Sequence, residues 1–364
     1  MENIAWRKAE TDMELKKAEE RAEAGERTEA EGRAGAADRA GSGQPVCEPA
    51  EGRKKSVDLI IPVYRPGKSF KELLKRIREQ DYPIRRLIIM NTEEQFWKPE
   101  YEEIFEKKGT QETEMEVHHL SREEFDHGGT RGRGIRLSDA DVCILMTHDA
   151  VPADRKLVGN LIKALESGPD IAAAYARQLP FEDCSLMEKY TRAFNYPAES
   201  RIKSAADLKE LGIKTFFCSN VCAAYDTAIY RSLGGFIKKT IFNEDMIYAA
   251  KAVENGYRIA YAADARVFHS HNYTAVEQFH RNFDLAVSQA DHPEVFSGIR
   301  SEGEGIRLVR RTAAFLVRQG KWMLLPKLAV HSGFKYAGYL LGKQYKRLPR
   351  SLVLWLTMNK NYWN

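Results

Sequence analysis

VCILMTHDAV, residues 142–151, runs apolar for five positions and then presents His148 and Asp149. A run such as Val142 to Met146 suits a strand buried on both faces, as in a parallel sheet covered by helices. In open α/β sheets ligands bind outside the carboxyl ends of the strands, which is where Asp149 falls. A local reading competes. Pro152 and Asp154 follow and helical spacing resumes at Leu157, so Asp149 is also placed to cap a helix. The stretch alone leaves both open.

Upstream, VDLIIPVY (57–64) reads as a strand, and SFKELLKRIREQDYP (69–83) has apolar residues at 70, 73, 74 and 77, the helical period. RRLIIMN (85–91) is a second strand, a helix falls near 98–108, and EVHHL (116–120) is a short strand. DHGGTRGRG (126–134) reads as a glycine turn leading to the opening strand. Downstream, AAAYARQLP (172–180) is another strand, and 216–236 combines strand, helix and a Gly-Gly stop. Residues 243–271 give a helix, Gly256 as its C-terminal cap, and a strand. Strand and helix alternate, which predicts a mostly parallel α/β sheet with helices on both faces.

The flanks differ from this middle. Residues 1–55 are rich in Ala, Glu, Arg and Gly, too poor in apolar residues to offset their ordering entropy, and predict a disordered charged tail. The α/β domain is expected over 56–285 and a basic helical region over 286–364. Lys and Arg number 56 against 52 Asp and Glu, a net +4 that argues against nucleic-acid binding by the whole chain. From Gly305 to Asn364, however, there are twelve Lys or Arg and no acid. That end should seek a negative surface. Its FLV, WMLLPKLAV, YAGYLLG and SLVLWL patches, broken by cations, suit helices lying on an anionic inner membrane face. Five cysteines without framework spacing suit a reducing cytoplasm, and neither a signal peptide nor a membrane span is visible.

Four polar clusters fall at element ends: Asp149, the glycine turn, Asn243-Glu244-Asp245, and His269-Ser270-His271. Asp149 with His269 or His271 has the oxygen and imidazole ligands that a divalent ion at a diphosphate accepts. Histidines two apart on a strand share a face, but solvated or core histidines are commoner than ligands. Glu244 and Asp245 offer a general base for a hydroxyl proton, or simply favour a helix start that Asn243 caps. The Gly128-Gly129 turn either lets backbone N–H groups approach phosphate, with Arg131 and Arg133 adding charge, or is a plain turn, and no GxGxxG is present.

IIPVYRPG, FDHGGTRGRGI, MTHDAVPAD, ARQLP, FNYPAESRIKS, GIKTFFCSNVCAAY, NEDM and GYRIAYAADARVFHSHNYT occur in the order seen in bacterial family 2 glycosyltransferases. Over about residues 57–290 the chain resembles the rhamnosyltransferase branch, as does its LPRSLVLWLTMNKNYWN ending. The resemblance implies a GT-A fold with one Mn²⁺ or Mg²⁺ ion between a nucleotide-binding half and an acceptor-binding half. It also implies a nucleotide-sugar donor, dTDP-rhamnose for this branch, and inversion by direct displacement. The acceptor is then a cell-surface polysaccharide or its lipid-linked precursor, and the enzyme is cytoplasmic, held peripherally at the inner face of the plasma membrane. By matching motif, Asp149 stands for the last Asp of the DxD-type metal site and His269 or His271 for the metal-binding His. Asp245 stands for the catalytic base and Glu244 for its neighbour that positions acceptor or base. Pro62, Tyr64 and Arg65 line the nucleoside, while Gly129, Arg131, His148, Asp149 and Asn220 complete the donor site.

Three positions depart from the family pattern. MNTEE replaces the usual base-contacting Asp, leaving Asn91, Glu93 or Glu94 to serve. THD lacks the first Asp of the metal motif, leaving ribose to His148 or Thr147, and Arg131-Gly132 replaces Arg-Asn. Two other classes compete: a sugar nucleotidyltransferase, which wants a Gly-rich basic signature after the first strand, and a non-catalytic membrane- or glycan-binding protein on a degenerate transferase fold.

Overall fold

The computed structural model describes residues 53–106, 113–297 and 302–363. Of the tail expected over 1–55, all but the last three residues lies outside the described residues. The described chain builds one nine-stranded sheet. Its strands are β1 (Val57–Tyr64), β2 (Arg86–Thr92), β3 (Glu114–Leu120), β4 (Val142–Met146), β5 (Val151–Pro152), β6 (Ile171–Leu179), β7 (Arg201–Lys203), β8 (Cys222–Asp226) and β9 (Arg258–Phe268). They lie in the order β3-β2-β1-β4-β8-β6-β9-β5, with β7 on β9.

From β3 to β4 the pairing is parallel. β1 and β4 are buried as their apolar runs require. Ile61 and Val63 join the core on one face of the sheet while Ile60 joins the core on the other, so helices cover both sides. Helix Lys68–Arg78 buries Phe70, Leu73, Leu74 and Ile77, the positions its period marked. Beyond β4 the sheet is mixed. β8 runs antiparallel to both β4 and β6, β6 and β9 are parallel, and β5 and β7 run antiparallel to β9. Apolar runs reveal that a strand exists but not its direction, which depends on the connection made.

The glycine turn expected at 126–134 is instead a helix, His127–Leu137, started by the Asp126 side chain. Its glycines carry poor helix propensity, and packing against the sheet overrides it. Helix Ala275–Asp291 runs without a break across residue 285, where the sequence suggested a boundary. Helix Leu325–Lys343 packs on it, and a Cβ at Gly338 would overlap the Phe279 carbonyl oxygen. The buried Asp284 carboxylate then fixes the chain end. It accepts from the Thr357 hydroxyl at 2.6 Å and from the Met358 and Asn359 N–H groups at 3.0 and 3.1 Å.

Candidate active site

Asp149 caps no helix. Strand β5 intervenes, and helix Leu157–Leu165 starts from Lys156, whose N–H donates to Asp154 Oδ1 at 2.9 Å. Because Val151 of β5 pairs with Phe268, the Asp149 turn meets the end of β9. Asp149 Oδ2 lies 3.3 Å from His271 Nε2 and 3.7 Å from His269 Nε2, and the two Nε2 atoms are 3.1 Å apart. Ligands about 2.1 Å from one ion stand about 3.0 Å apart at a right angle and about 3.4 Å apart at the tetrahedral angle. The three atoms therefore fit a shared cation. Burial pushes His269 down to about 3 and lowers His271 as well, so both imidazoles are neutral and carry a lone pair at neutral pH.

The orientation of His269 is set behind it. The Arg192 guanidinium donates to Gln178 Oε1, and a guanidinium can only donate, so the amide oxygen faces it. His269 Nδ1, 2.9 Å from the same oxygen, must then donate, which turns the Nε2 lone pair toward Asp149 and His271. Sequence reasoning passed over both Gln178 and Arg192. The available signal was a buried amide within the apolar strand Ile171–Leu179.

Gln178 also joins this cluster to the acidic pair. Its Nε2 donates to Ser219 Oγ at 3.0 Å, and the next residue, Asn220, holds both acids. The Asn220 N–H donates to Asp245 Oδ2 at 2.9 Å, and its Nδ2 donates to Glu244 Oε1 at 3.1 Å. Asp245 Oδ1 accepts from the Met246 N–H at 2.8 Å. Glu244 is buried with Arg131 Nη1 3.2 Å from its Oε1. Burial alone would raise Glu244, but Arg131, His127 and Asn220 outweigh it and hold the carboxyl below its ordinary value. Burial and then the Glu244 charge push Asp245 up to about 7. Asn243 occupies the cap position in the left-handed region at φ 64° and gives no side-chain capping bond. A Cβ at Gly128 would overlap the Ile237 carbonyl oxygen and touch Glu244 Cβ, so that glycine lets helix His127–Leu137 bring Arg131 against the pair.

Arg131 Nη1 faces Glu244 and the His127 carbonyl while its Nε has no partner among the described residues, and the Gly129 N–H donates to Asp126. The Gly129 N–H is therefore not free for a phosphate as the sequence suggested, and Arg131 is turned toward the acidic pair. At the carboxyl ends of β1 and β2 lie the remaining expected residues. Tyr64 meets Phe96 edge-on, and the Arg65 guanidinium covers both rings at 5.1 and 4.5 Å. Pro62 offers its carbonyl to His148, and burial lowers the His148 imidazole. Asn91 donates to His119 Nδ1 at 3.0 Å. Asn91 Oδ1, Thr92 Oγ1 and Glu93 Oε2 are buried without a partner among the described residues. Arg65, Glu93 and Asn243 are three of the four non-glycine residues with positive φ among the described residues, and each is, or adjoins, a residue expected in the site.

Residues 58–234 match the family described as Glycosyl transferase family 2. The chain is 37% identical over 313 residues to the O-antigen chain rhamnosyltransferase RfbN of Salmonella typhimurium, covering 85% of this chain and 96% of that protein. It is 39% identical over 249 residues to the O-antigen chain rhamnosyltransferase WbaN of Salmonella anatum, covering 67% of this chain and 78% of that protein. Among solved structures, the fold resembles the mannosyltransferase PcManGT from Pyrobaculum calidifontis, solved in complex with GDP-Man and Mn²⁺. That match has a TM-score of 0.51 and 16% identity and covers 85% of each chain.

Proposed function

Because this chain belongs to glycosyl transferase family 2 and is a glycosyltransferase, we propose that it transfers rhamnose from dTDP-rhamnose to a growing cell-surface polysaccharide or its lipid-linked precursor. The observation that carries the reading is the pairing of two chemistries on one face. A three-ligand cation cluster lies behind Ser219, and a carboxylate raised toward neutral pH hangs from Asn220. Asp149, His269 and His271 would hold the ion. Two imidazole nitrogens favour Mn²⁺ over Mg²⁺, and when bound the ion supplies positive charge to a leaving diphosphate.

The remaining work belongs to the protein. An acceptor hydroxyl is a poor nucleophile with a pKa far above neutral. Asp245, oriented by two backbone N–H groups, takes its proton as the hydroxyl oxygen bonds to the anomeric carbon. The bond from that carbon to the diphosphate breaks on the opposite side, and the nucleoside diphosphate leaves with the electron pair. Glu244, kept ionised by Arg131, raises the proton affinity of Asp245. Arg65 and Tyr64 offer a stacking surface to the base. The unpaired Asn91 Oδ1 is an acceptor for the single ring N–H of thymine.

A hydrolysis screen of nucleotide sugars with Mn²⁺ tests this reading without an acceptor. dTDP-rhamnose should release the most diphosphate nucleotide, and Asp149→Ala should weaken both Mn²⁺-dependent nucleotide binding and turnover. Unchanged metal-dependent affinity in Asp149→Ala, or a different preferred donor, overturns the corresponding assignment.

A further inference from the structure

A cavity of about 1110 Å³ lies between helices Leu186–Asn195, Ala275–Asp291, Glu302–Arg318 and Leu325–Lys343. His271 lines it, so its inner end is shared with the cation cluster. Its walls are unlike each other. Along helix Leu325–Lys343, Lys327, His331 and Lys335 face the cavity at spacings of four, the same-face interval of a helix. Arg310 adds a further cation, while Leu285, Ile306 and Val309 present hydrocarbon. Lys327, Lys335 and Arg310 have no ion pair among the described residues; Asp183 and Glu188 also line the cavity, and Glu188 is paired with Arg192 at 2.8 Å. Burial lowers the Lys335 ammonium, with Arg281 and Arg192 adding to the effect against Glu188. His331 is lowered by burial and by Lys327 and Lys335 on either side. Such crowded, partly desolvated cations call for an anion. The volume exceeds the roughly 300–1,000 Å³ of ordinary small-molecule sites, far more than a free diphosphate fills.

We infer that this cavity binds the acceptor as an amphiphile, a diphosphate on the Lys327–Lys335 stripe with its hydrocarbon against Ile306 and Val309. Its glycan end then points past His271 toward Asp245. The assignment rests on the transferase reading above and adds to it the place and chemical class of the acceptor.

Geranyl diphosphate is a suitable probe, titrated calorimetrically into the full chain saturated with Mn²⁺ and dTDP so that the donor site is occupied. It should bind at least tenfold more tightly than inorganic diphosphate or geraniol, and the Lys327→Gln/Lys335→Gln variant should lose tenfold or more. A charge-retaining Lys327→Arg/Lys335→Arg variant should restore most of the affinity, which separates lost charge from lost folding. Failure of the wild type to bind, equal affinity for geraniol, equal affinity for inorganic diphosphate, or unaltered binding in the Gln variant each overturns the inference. Donor hydrolysis by the same wild-type protein reports separately on the transferase reading. Hydrolysis without geranyl diphosphate binding sinks only the cavity assignment, and binding without hydrolysis sinks only the transferase reading.

Discussion

At the scale of single residues, the contrast between Glu244 and Asp245 is the sharpest feature of the site. Adjacent carboxylates sit in environments that push their protonation apart, one held down by Arg131 and the other lifted to about 7. This divergence supports the proposed acid–base assignment over a helix start with spare charge. Replacing Asp245 by Asn keeps the shape and one accepted N–H bond but removes the proton acceptor. Transfer should fall by roughly 10²–10⁴-fold, while dTDP and Mn²⁺ bind as before. Calorimetry beside a transfer assay checks both halves, and loss of nucleotide binding would place Asp245 in the donor site instead. The pH dependence follows from the raised carboxyl. A base must be ionised to act, so the rate should rise with pH through about 7 and flatten above it. Glu244→Gln removes the neighbouring charge that lifts Asp245, so the midpoint of that rise should move to lower pH. A midpoint unmoved in Glu244→Gln would show that burial alone sets it.

At the scale of elements, the parts read from sequence were those whose signal is local. Val57–Tyr64, Val142–Met146 and helix Lys68–Arg78 declare themselves through apolar runs or helical period, and the structure places them accordingly. His269 and His271 were visible as a pair expected on a strand, although β9 ends at Phe268 just before them, and Asp149 was visible as a charge at a strand end. Their meeting was not visible, because it depends on the Val151–Phe268 pairing across more than a hundred residues. Helix His127–Leu137 was hidden by its glycines, whose poor propensity is offset only by contacts no local window contains. The direction of β8 was hidden for the same kind of reason. So was the support behind His269, where β6 contributes Gln178 and helix Leu186–Asn195 contributes Arg192. That support carries its own prediction. Gln178→Leu removes the acceptor that fixes the His269 tautomer, and Mn²⁺ affinity should drop about 10–100-fold, the usual cost of losing such a partner. Gln178→Glu keeps an acceptor oxygen and should lose much less. Mn²⁺ titration followed by electron paramagnetic resonance reads both, and equal affinities in Gln178→Leu and wild type would show that His269 is not held through Gln178.

At the scale of the whole molecule, the neutral balance of the chain conceals a polarised surface. The C-terminal helices carry twelve Lys or Arg after Glu304 and no acid, while at the β1–β4 end of the sheet Arg85 and Arg86 are paired with Asp58, Asp139 and Glu116. Those helices also leave large apolar groups in water: Trp322 is 63% exposed, Met323 76% and Trp355 69%. Packing explains part of the apolar content, since Phe283, Val353 and Leu356 form a core of their own, but it does not cover these three side chains. No helix among the described residues is long and apolar enough to cross a membrane; the prediction is contact with one face of a bilayer. Aromatic and methionine side chains beside cations are the composition of such a surface, where each nearby Lys or Arg adds about 1 kcal/mol on an anionic leaflet. The full chain should therefore sediment with vesicles rich in phosphatidylglycerol, release as salt is raised, and bind neutral phosphatidylcholine vesicles far more weakly. Trp322→Ser/Trp355→Ser should weaken anionic-vesicle binding about tenfold or more, because inserting a large side chain contributes roughly 1.5–3 kcal/mol when burial is complete. Equal binding to neutral and anionic vesicles would remove the role of the cations, and absence of binding to either would return these helices to packing alone. Anionic binding that persists unchanged in the double-Trp variant would leave charge as the whole of the attraction and make the exposed tryptophans irrelevant to it.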